Sequence, residues 1–202
     1  MPVSADRAPG APSPLRVLFV CTANRCRSPL AAAVFARAAA QRGALVATAS
    51  AGLLASGFPA LPEMVAAARG IGIDLSAHRS HRMRAADLDV DLVIGMERLH
   101  VREVAVLSPT ALGRAFTFRE LARRLAAADP RRAAVPASTD LAELSAERAL
   151  RDLLGNADED DIADPAGGTP EDYAAAVLAI TDCAARCARL LFSSPATLDE
   201  DA

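Results

Sequence analysis

The sequence predicts an α/β fold in which a parallel sheet is covered by helices on both faces. Three observations carry this reading. Short apolar runs rich in Val, Ile and Phe alternate with helical patterns along the chain. Helices open on Ser-Pro or Thr-Pro pairs and close on Gly. The first apolar run, Arg16-Val17-Leu18-Phe19-Val20-Cys21, is continuous instead of alternating, as a strand buried on both faces must be.

That run reads as the first strand, stopped by Thr22-Ala23-Asn24. Ser28-Pro29 predicts a sharp helix start, with Ser28 as N-cap, Pro29 in the first helical position, and Leu30, Val34 and Ala38 as a stripe that ends at Gly43. A second strand is expected near Ala44 to Ala49 and a helix near Leu61 to Arg69 that closes on Gly70. Further strands are expected at Val90 to Gly95 and near Ala115 to Phe118, and a helix begun near Arg119 stops at Asp129-Pro130. From there to about Ala163 the pattern is irregular, except that Asp140 and Glu143 make a capping box for a helix over Asp140 to Leu154. This predicts an inserted helix within about residues 130–160. Thr169-Pro170-Glu171-Asp172 opens a final helix to about Phe192. Residues 1–14, with Pro2, Pro9, Pro12 and Pro14, are expected to form a disordered N-terminal tail, and residues 193–202 a flexible C-terminal one. Residues 15–192 are then one domain.

A chain of 202 residues can bury a core without disulfides or structural metal. With 52% hydrophobic and only 3% aromatic residues, and no Trp, that core is aliphatic and an aromatic-rich binding surface is excluded. A net charge of -3 supplies no field for a polyanion, so neither nucleic acid nor an acidic membrane is an expected partner. All 22 basic residues are Arg, which removes Schiff-base and Walker-type lysine chemistry. Gly43 to Pro62 is uncharged and as long as a membrane span, but its three Gly, two Pro, Thr48, Ser50 and Ser56 keep it out of a bilayer. No apolar stretch precedes Leu15 and four Cys make no secreted disulfide framework, so a reducing, cytoplasmic setting is expected. His78, His81 and His100 with no Cys-x2-Cys pair match no familiar metal site, and no Gly-rich nucleotide motif occurs, so no metal and no cofactor are expected.

The chemistry concentrates in Cys21-Thr22-Ala23-Asn24-Arg25-Cys26-Arg27-Ser28-Pro29. This segment puts a thiol at the end of a buried strand and an Arg just before a helix N-terminus. Backbone N–H groups of such a turn, the helix dipole and the fork of Arg27 can cradle a tetrahedral dianion. The same field favours a thiolate, the species that attacks phosphorus. Asn24 sits in the turn, where Asn tolerates the left-handed conformation. Cys183 and Cys187, four apart on the last helix, read as core.

Cys-Thr-Ala-Asn-Arg-Cys-Arg-Ser-Pro resembles the signature of the low-molecular-weight protein tyrosine phosphatases, and the likeness runs from about Leu15 to Phe192 apart from the insert. The resemblance implies a three-layer sandwich with a four-stranded parallel sheet and a phosphate-binding loop, Thr22 to Ser28, between the first strand and first helix. It implies hydrolysis of a phosphotyrosine protein or a small aryl phosphate through a cysteinyl-phosphate on Cys21, with Arg27 as phosphate clamp. It also implies an Asp followed by Pro as general acid, and Asp164-Pro165 fits. From the residues alone Asp158, Glu159, Asp160 and Asp161 stay as rivals to Asp164, the run reading as a solvated acidic linker. By resemblance, Ser50 and His78 support the loop through Asn24, Ser28 donates to the Cys21 thiolate, and Cys26 is a candidate redox partner of Cys21. Departures are Ala23, Arg25 and Ala33, where Gly, an apolar residue and an acidic residue are usual, and Ala166-Gly167-Gly168 where aromatics follow the Asp-Pro pair; Phe58 is the one aromatic available as a wall. The alternatives are a small-thiol-coupled arsenate reductase on the same fold and a non-catalytic phosphate-binding adaptor. Presence of Cys21, Arg27 and Asp164 together argues against the adaptor.

Overall fold

Val17 to Cys21 are all buried, which puts the strand that carries them in the interior of a sheet. In the computed structural model, which describes residues 13–128, 144–145 and 159–192, this strand is β1 (Leu15–Cys21). It pairs in parallel with β2 (Val46–Gly52) on one side and β3 (Leu92–Gly95) on the other, and β4 (Ala115–Thr117) extends β3. The order is β2-β1-β3-β4. Register sets Cys21 against Gly52 and Val20 against Gly95, so a glycine flanks the end of β1 on each side.

The helices are α1 (Arg27–Ala40), α2 (Pro62–Arg69), α3 (Arg98–Leu107), α4 (Phe118–Ala127) and α5 (Pro170–Phe192). Alternate side chains of β1 enter opposite cores. Val17, Phe19 and Cys21 join Leu30, Phe35, Phe118, Ile180 and Cys187 from α1, α4 and α5, while Leu18 and Val20 join Val101 and Val104 of α3. Phe19 packs on Phe35 and Phe118 at centroid distances of 5.6 and 5.5 Å. Truncating Phe19 would cost about 3 to 5 kcal/mol, because the site cannot collapse between packed layers. The result is the predicted three-layer sandwich.

Several boundaries differ from expectation. β2 runs on to Gly52, since its small residues are held by pairing to β1 and need no side-chain propensity. α1 starts at Arg27 with Cys26 as N-cap; Ser28 lies inside the helix and caps nothing, because its hydroxyl is spent on Cys21 and Ala51. α3 was not anticipated: its buried stripe is only His100, Val101 and Val104, and no Pro or Ser opens it. α4 is started by Thr117, whose hydroxyl accepts from the Glu120 amide. The predicted tails lie outside the described residues, save Ser13 and Pro14, and so does most of the Asp140 to Leu154 helix, of which Leu144 and Ser145 are helical. No described helix is long and apolar enough to cross a membrane.

Candidate active site

Between Cys21 and Arg27 the chain turns over the carboxyl end of the sheet, and this turn needs a residue at φ 51°, supplied by Asn24. Asn24 is fully buried and is the hub of the turn. Its Nδ2 donates to Ser28 Oγ at 2.9 Å and to Ser50 Oγ at 2.8 Å, and its Oδ1 accepts from the His81 amide at 2.8 Å. His78 Nε2 donates to the Asn24 carbonyl at 2.6 Å, which fixes the proton on that nitrogen. Ser50 and His78 therefore meet the loop where expected; the His81 amide was not anticipated, since a backbone donor has no side-chain signature. Gly52 lets the turn sit down on β2: a Cβ there would stand 2.7 Å from Asn24 N.

Cys21 Sγ is buried and 3.0 Å from Ser28 Oγ. Thr22 accepts from the Leu53 and Leu54 amides through its carbonyl. Arg25, half-buried, donates from Nε to the Pro59 carbonyl at 2.8 Å and lies 5.6 Å above the ring of Phe58, which is exposed. Ala23 and Cys26 complete the loop. Burial, with the charges of Asp164 and Cys21, pushes the Cys26 thiol far above its ordinary range. Cys183 and Cys187 are buried in the core, where burial pushes Cys183 up to about 11.

Arg27 is 1% exposed and does not reach solvent. Nη1 pairs with Glu97 Oε1 and donates to the Ile162 carbonyl at 2.7 Å, while Nη2 donates to Asp164 Oδ2 at 2.6 Å. Nε is buried and has no hydrogen-bond partner among the described residues. A buried donor on a cation is costly to leave unpaired, and this one lies on the Nε/Nη2 edge that a tetrahedral oxyanion engages in bidentate fashion. Glu97 was missed by sequence reading; its one signal is its place two residues past the end of β3, at the carboxyl edge beside β1, where ligands of parallel sheets bind.

The segment that carries Asp164 is tied down along its length. Ile162 N donates to the Met96 carbonyl at 2.8 Å, Thr117 Oγ1 to the Asp160 carbonyl at 2.7 Å, and the Arg98 amide to Asp161 Oδ1 at 2.7 Å. The expected solvated linker is corrected at Asp160, which is 3% exposed and accepts from Arg98 Nη2 and Arg123 Nη2 at 2.8 and 2.9 Å. Burial alone would raise its pKa, but the hydrogen bonds and charges of Arg123 and Arg98 more than offset it and hold it below the usual carboxylate range. Of the acidic run, Glu159 is exposed, Asp160 is a structural anchor, and Asp158 lies outside the described residues. Asp164, beyond them, meets Arg27 at Nη2.

A model of the low molecular weight phosphotyrosine protein phosphatase family matches residues 16–132. A probable low molecular weight protein-tyrosine-phosphatase, EpsP, of Ralstonia nicotianae is 32% identical over 129 residues, which are 63% of this chain and 86% of that protein. The protein-arginine-phosphatase of Bacillus subtilis is 34% identical over 105 residues, 52% of this chain and 70% of that one. Among solved structures, a low molecular weight protein tyrosine phosphatase from T. tengcongensis matches with a TM-score of 0.63 at 28% identity, over 85% of this chain and 96% of its own.

Proposed function

This chain belongs to the low molecular weight phosphotyrosine protein phosphatase family, and from that premise we propose that it hydrolyses phosphotyrosine or another aryl phosphate monoester through a cysteinyl-phosphate on Cys21. The observation that carries this reading is the Arg27 fork. Its Nη1 is held by Glu97 and the Ile162 carbonyl, its Nη2 rests on Asp164, and its buried Nε has no partner among the described residues.

The phosphoryl dianion enters the loop Thr22 to Ser28, takes Arg27 Nε, and displaces Asp164 from Nη2. Arg27 then holds two phosphoryl oxygens through the transition state, and Asp164 is released toward the leaving oxygen. The Cys21 thiolate attacks phosphorus; the S–P bond forms as the P–O bond breaks, and Asp164 in its acid form gives its proton to the departing aryl oxide. In the second step water attacks phosphorus, the Asp164 carboxylate takes the water's proton, and the S–P bond breaks. The departing thiolate accepts a hydrogen bond from Ser28 Oγ, 3.0 Å from Sγ. Asn24, held by Ser50, His78 and the His81 amide, keeps the loop in its left-handed turn through both steps.

The Arg25 guanidinium above Phe58 puts a cation in the loop itself. It favours an aryl ester with acidic surroundings over phosphoarginine, whose guanidinium it would repel. When peroxide has converted Cys21 to a sulfenic acid, the Cys26 sulfur can attack it, forming a disulfide as the S–O bond breaks and water leaves; held protonated by burial, Cys26 would do so faster as pH rises. Turnover of an aryl phosphate, a phosphotyrosine peptide, phosphoarginine and arsenate on one preparation tests the assignment. The aryl phosphate and the peptide should turn over, phosphoarginine far more slowly and arsenate not at all. Arsenate reduction with a small thiol and no aryl phosphatase activity would replace this reading with the reductase.

A further inference from the structure

The phosphate loop is braced from the β2 side by Asn24, Ser50 and His78. On the β3 side a second set of contacts leads to it through His100, which the mechanism above does not use. His100, on the first turn of α3, is fully buried. Its Nδ1 accepts a hydrogen bond from the Glu97 amide at 3.0 Å, and a backbone N–H can only donate, so Nδ1 carries no proton. The ring is then neutral with its proton on Nε2, and Nε2 lies 3.2 Å from Thr22 Oγ1. Thr22 immediately follows the nucleophile.

We propose that His100 is a positioning residue for the phosphatase reaction: its Nε2–H donates to the Thr22 hydroxyl and fixes the first residue of the phosphate loop against the β3–α3 turn, the same turn whose Glu97 carboxylate holds Arg27. One short segment, Glu97 to His100, thereby sets both ends of the loop, Thr22 beside the nucleophile and Arg27 at the clamp. Gly95 makes this possible, since a Cβ there would stand 2.9 Å from His100 Cβ and drive the ring off its place. Burial, then the charges of Arg27 and Arg102, push the His100 pKa down to about 3, consistent with a ring that stays neutral at working pH. The role rests on the reading of Cys21 to Arg27 as the reacting loop.

The two arms of the imidazole can be separated chemically. An Asn amide stands at the distance of Nδ1 from the backbone and a Gln amide at the distance of Nε2. His100→Asn therefore retains the acceptor for the Glu97 amide and loses the donor to Thr22; His100→Gln does the reverse. The experiment measures aryl phosphatase kcat/KM and the inhibition constant of vanadate for wild type, His100→Asn, His100→Gln, Thr22→Val and the double variant His100→Asn/Thr22→Val, with Cys21→Ser as the inactive reference. His100→Asn and Thr22→Val should each lose about 3- to 10-fold in kcat/KM and weaken vanadate binding in parallel, the effect of one neutral hydrogen bond. The double variant should be no worse than either single, because both remove one contact. His100→Gln should recover most of the loss. Nitrogen-15 NMR of the wild-type ring should show the proton on Nε2.

Wild-type kinetics in His100→Asn, losses that multiply in the double variant, or a proton on Nδ1 would each overturn the role of His100 while leaving the phosphatase reading in place. Turnover in Cys21→Ser would overturn both. Should His100→Asn fail to fold, Thr22→Val and the ring spectrum decide the matter, since Thr22→Val removes the hydroxyl with almost no change in shape.

Discussion

Arg27 Nη2 donates to Asp164 Oδ2 at 2.6 Å, so the cation proposed to grip the substrate and the carboxyl proposed to protonate its leaving group hold one another. A dianion that takes the Nε/Nη2 edge, as proposed, competes with that carboxylate for Nη2. The exchange couples substrate binding to release of the acid.

Asp164→Asn isolates the acid role, since the Asn carbonyl can still accept from Arg27. It should slow an ordinary aryl phosphate by roughly 10²- to 10⁴-fold, the range for a positioned general acid. The penalty should shrink sharply for a leaving group acidic enough to depart as an anion. Steady-state kcat across a series of phenols of differing pKa checks this; a penalty independent of the leaving group makes Asp164 a residue of structure alone. Asp164→Ala, by removing the competitor on Nη2, should also tighten vanadate.

The clamp requires a fork. Arg27 serves Glu97, the Ile162 carbonyl and Asp164 at once, and an ammonium has neither the planarity nor the reach to do so. Arg27→Lys should lose roughly 10²- to 10³-fold or more in kcat/KM, as when a preorganised transition-state donor is removed. Glu97→Gln, which keeps an acceptor but loses the charge, should lose less than Arg27→Lys. Comparable kinetics for Arg27→Lys and wild type would show that the clamp is elsewhere.

Asp160 tests the anchoring of the acid segment. Asp160→Asn leaves the arginine pair Arg98 and Arg123 without their shared charge, and should cost about 1 to 3 kcal/mol, less than a fully buried pair because Arg123 is partly exposed. The folded-state pKa of Asp160 is depressed from 3.8, so its stabilisation is complete above that value and is lost as pH falls through the folded one. Urea melts should show the largest gap between wild type and variant at neutral pH, and the gap should close in acid. A gap that widens on acidification would contradict the assignment.

Gly52→Ala addresses the seat of the loop. The added Cβ would meet Asn24 N at 2.7 Å, and backbone cannot step aside as a flexible side chain would. Activity should fall by about 10²-fold, the scale for an ångström of misplacement, with a much smaller change in melting temperature. Equal activity in the variant would mean that the loop is free to shift.

The loop was legible in the sequence because its chemistry is contiguous: Cys21, Asn24, Arg27 and Ser28 lie within one turn, and there spacing along the chain is geometry. Asp164 could be ranked above its acidic neighbours only through the resemblance. Glu97, His100 and Asp160 act across long sequence separations, and before folding a carboxylate that will pair with Arg27 or Arg98 looks like any solvated one. Ser28 is expected both to cap the helix and to meet Cys21, and only the second holds: a hydroxyl at a helix start has two uses, and in the packed structure it lies 3.0 Å from Cys21 Sγ and caps nothing. α3 went unseen because a buried His stands where an apolar residue would have signalled the stripe.

The measurement that bears most directly on this account is rapid quenching of the enzyme during turnover of an aryl phosphate, followed by mass spectrometry of the Cys21 peptide. Wild type should carry phosphate on Cys21 transiently, and Cys21→Ser should carry none there and release no phenol while still binding vanadate through the loop amides and Arg27. Phenol release by Cys21→Ser, or wild-type turnover with Cys21 never phosphorylated, would contradict the covalent mechanism.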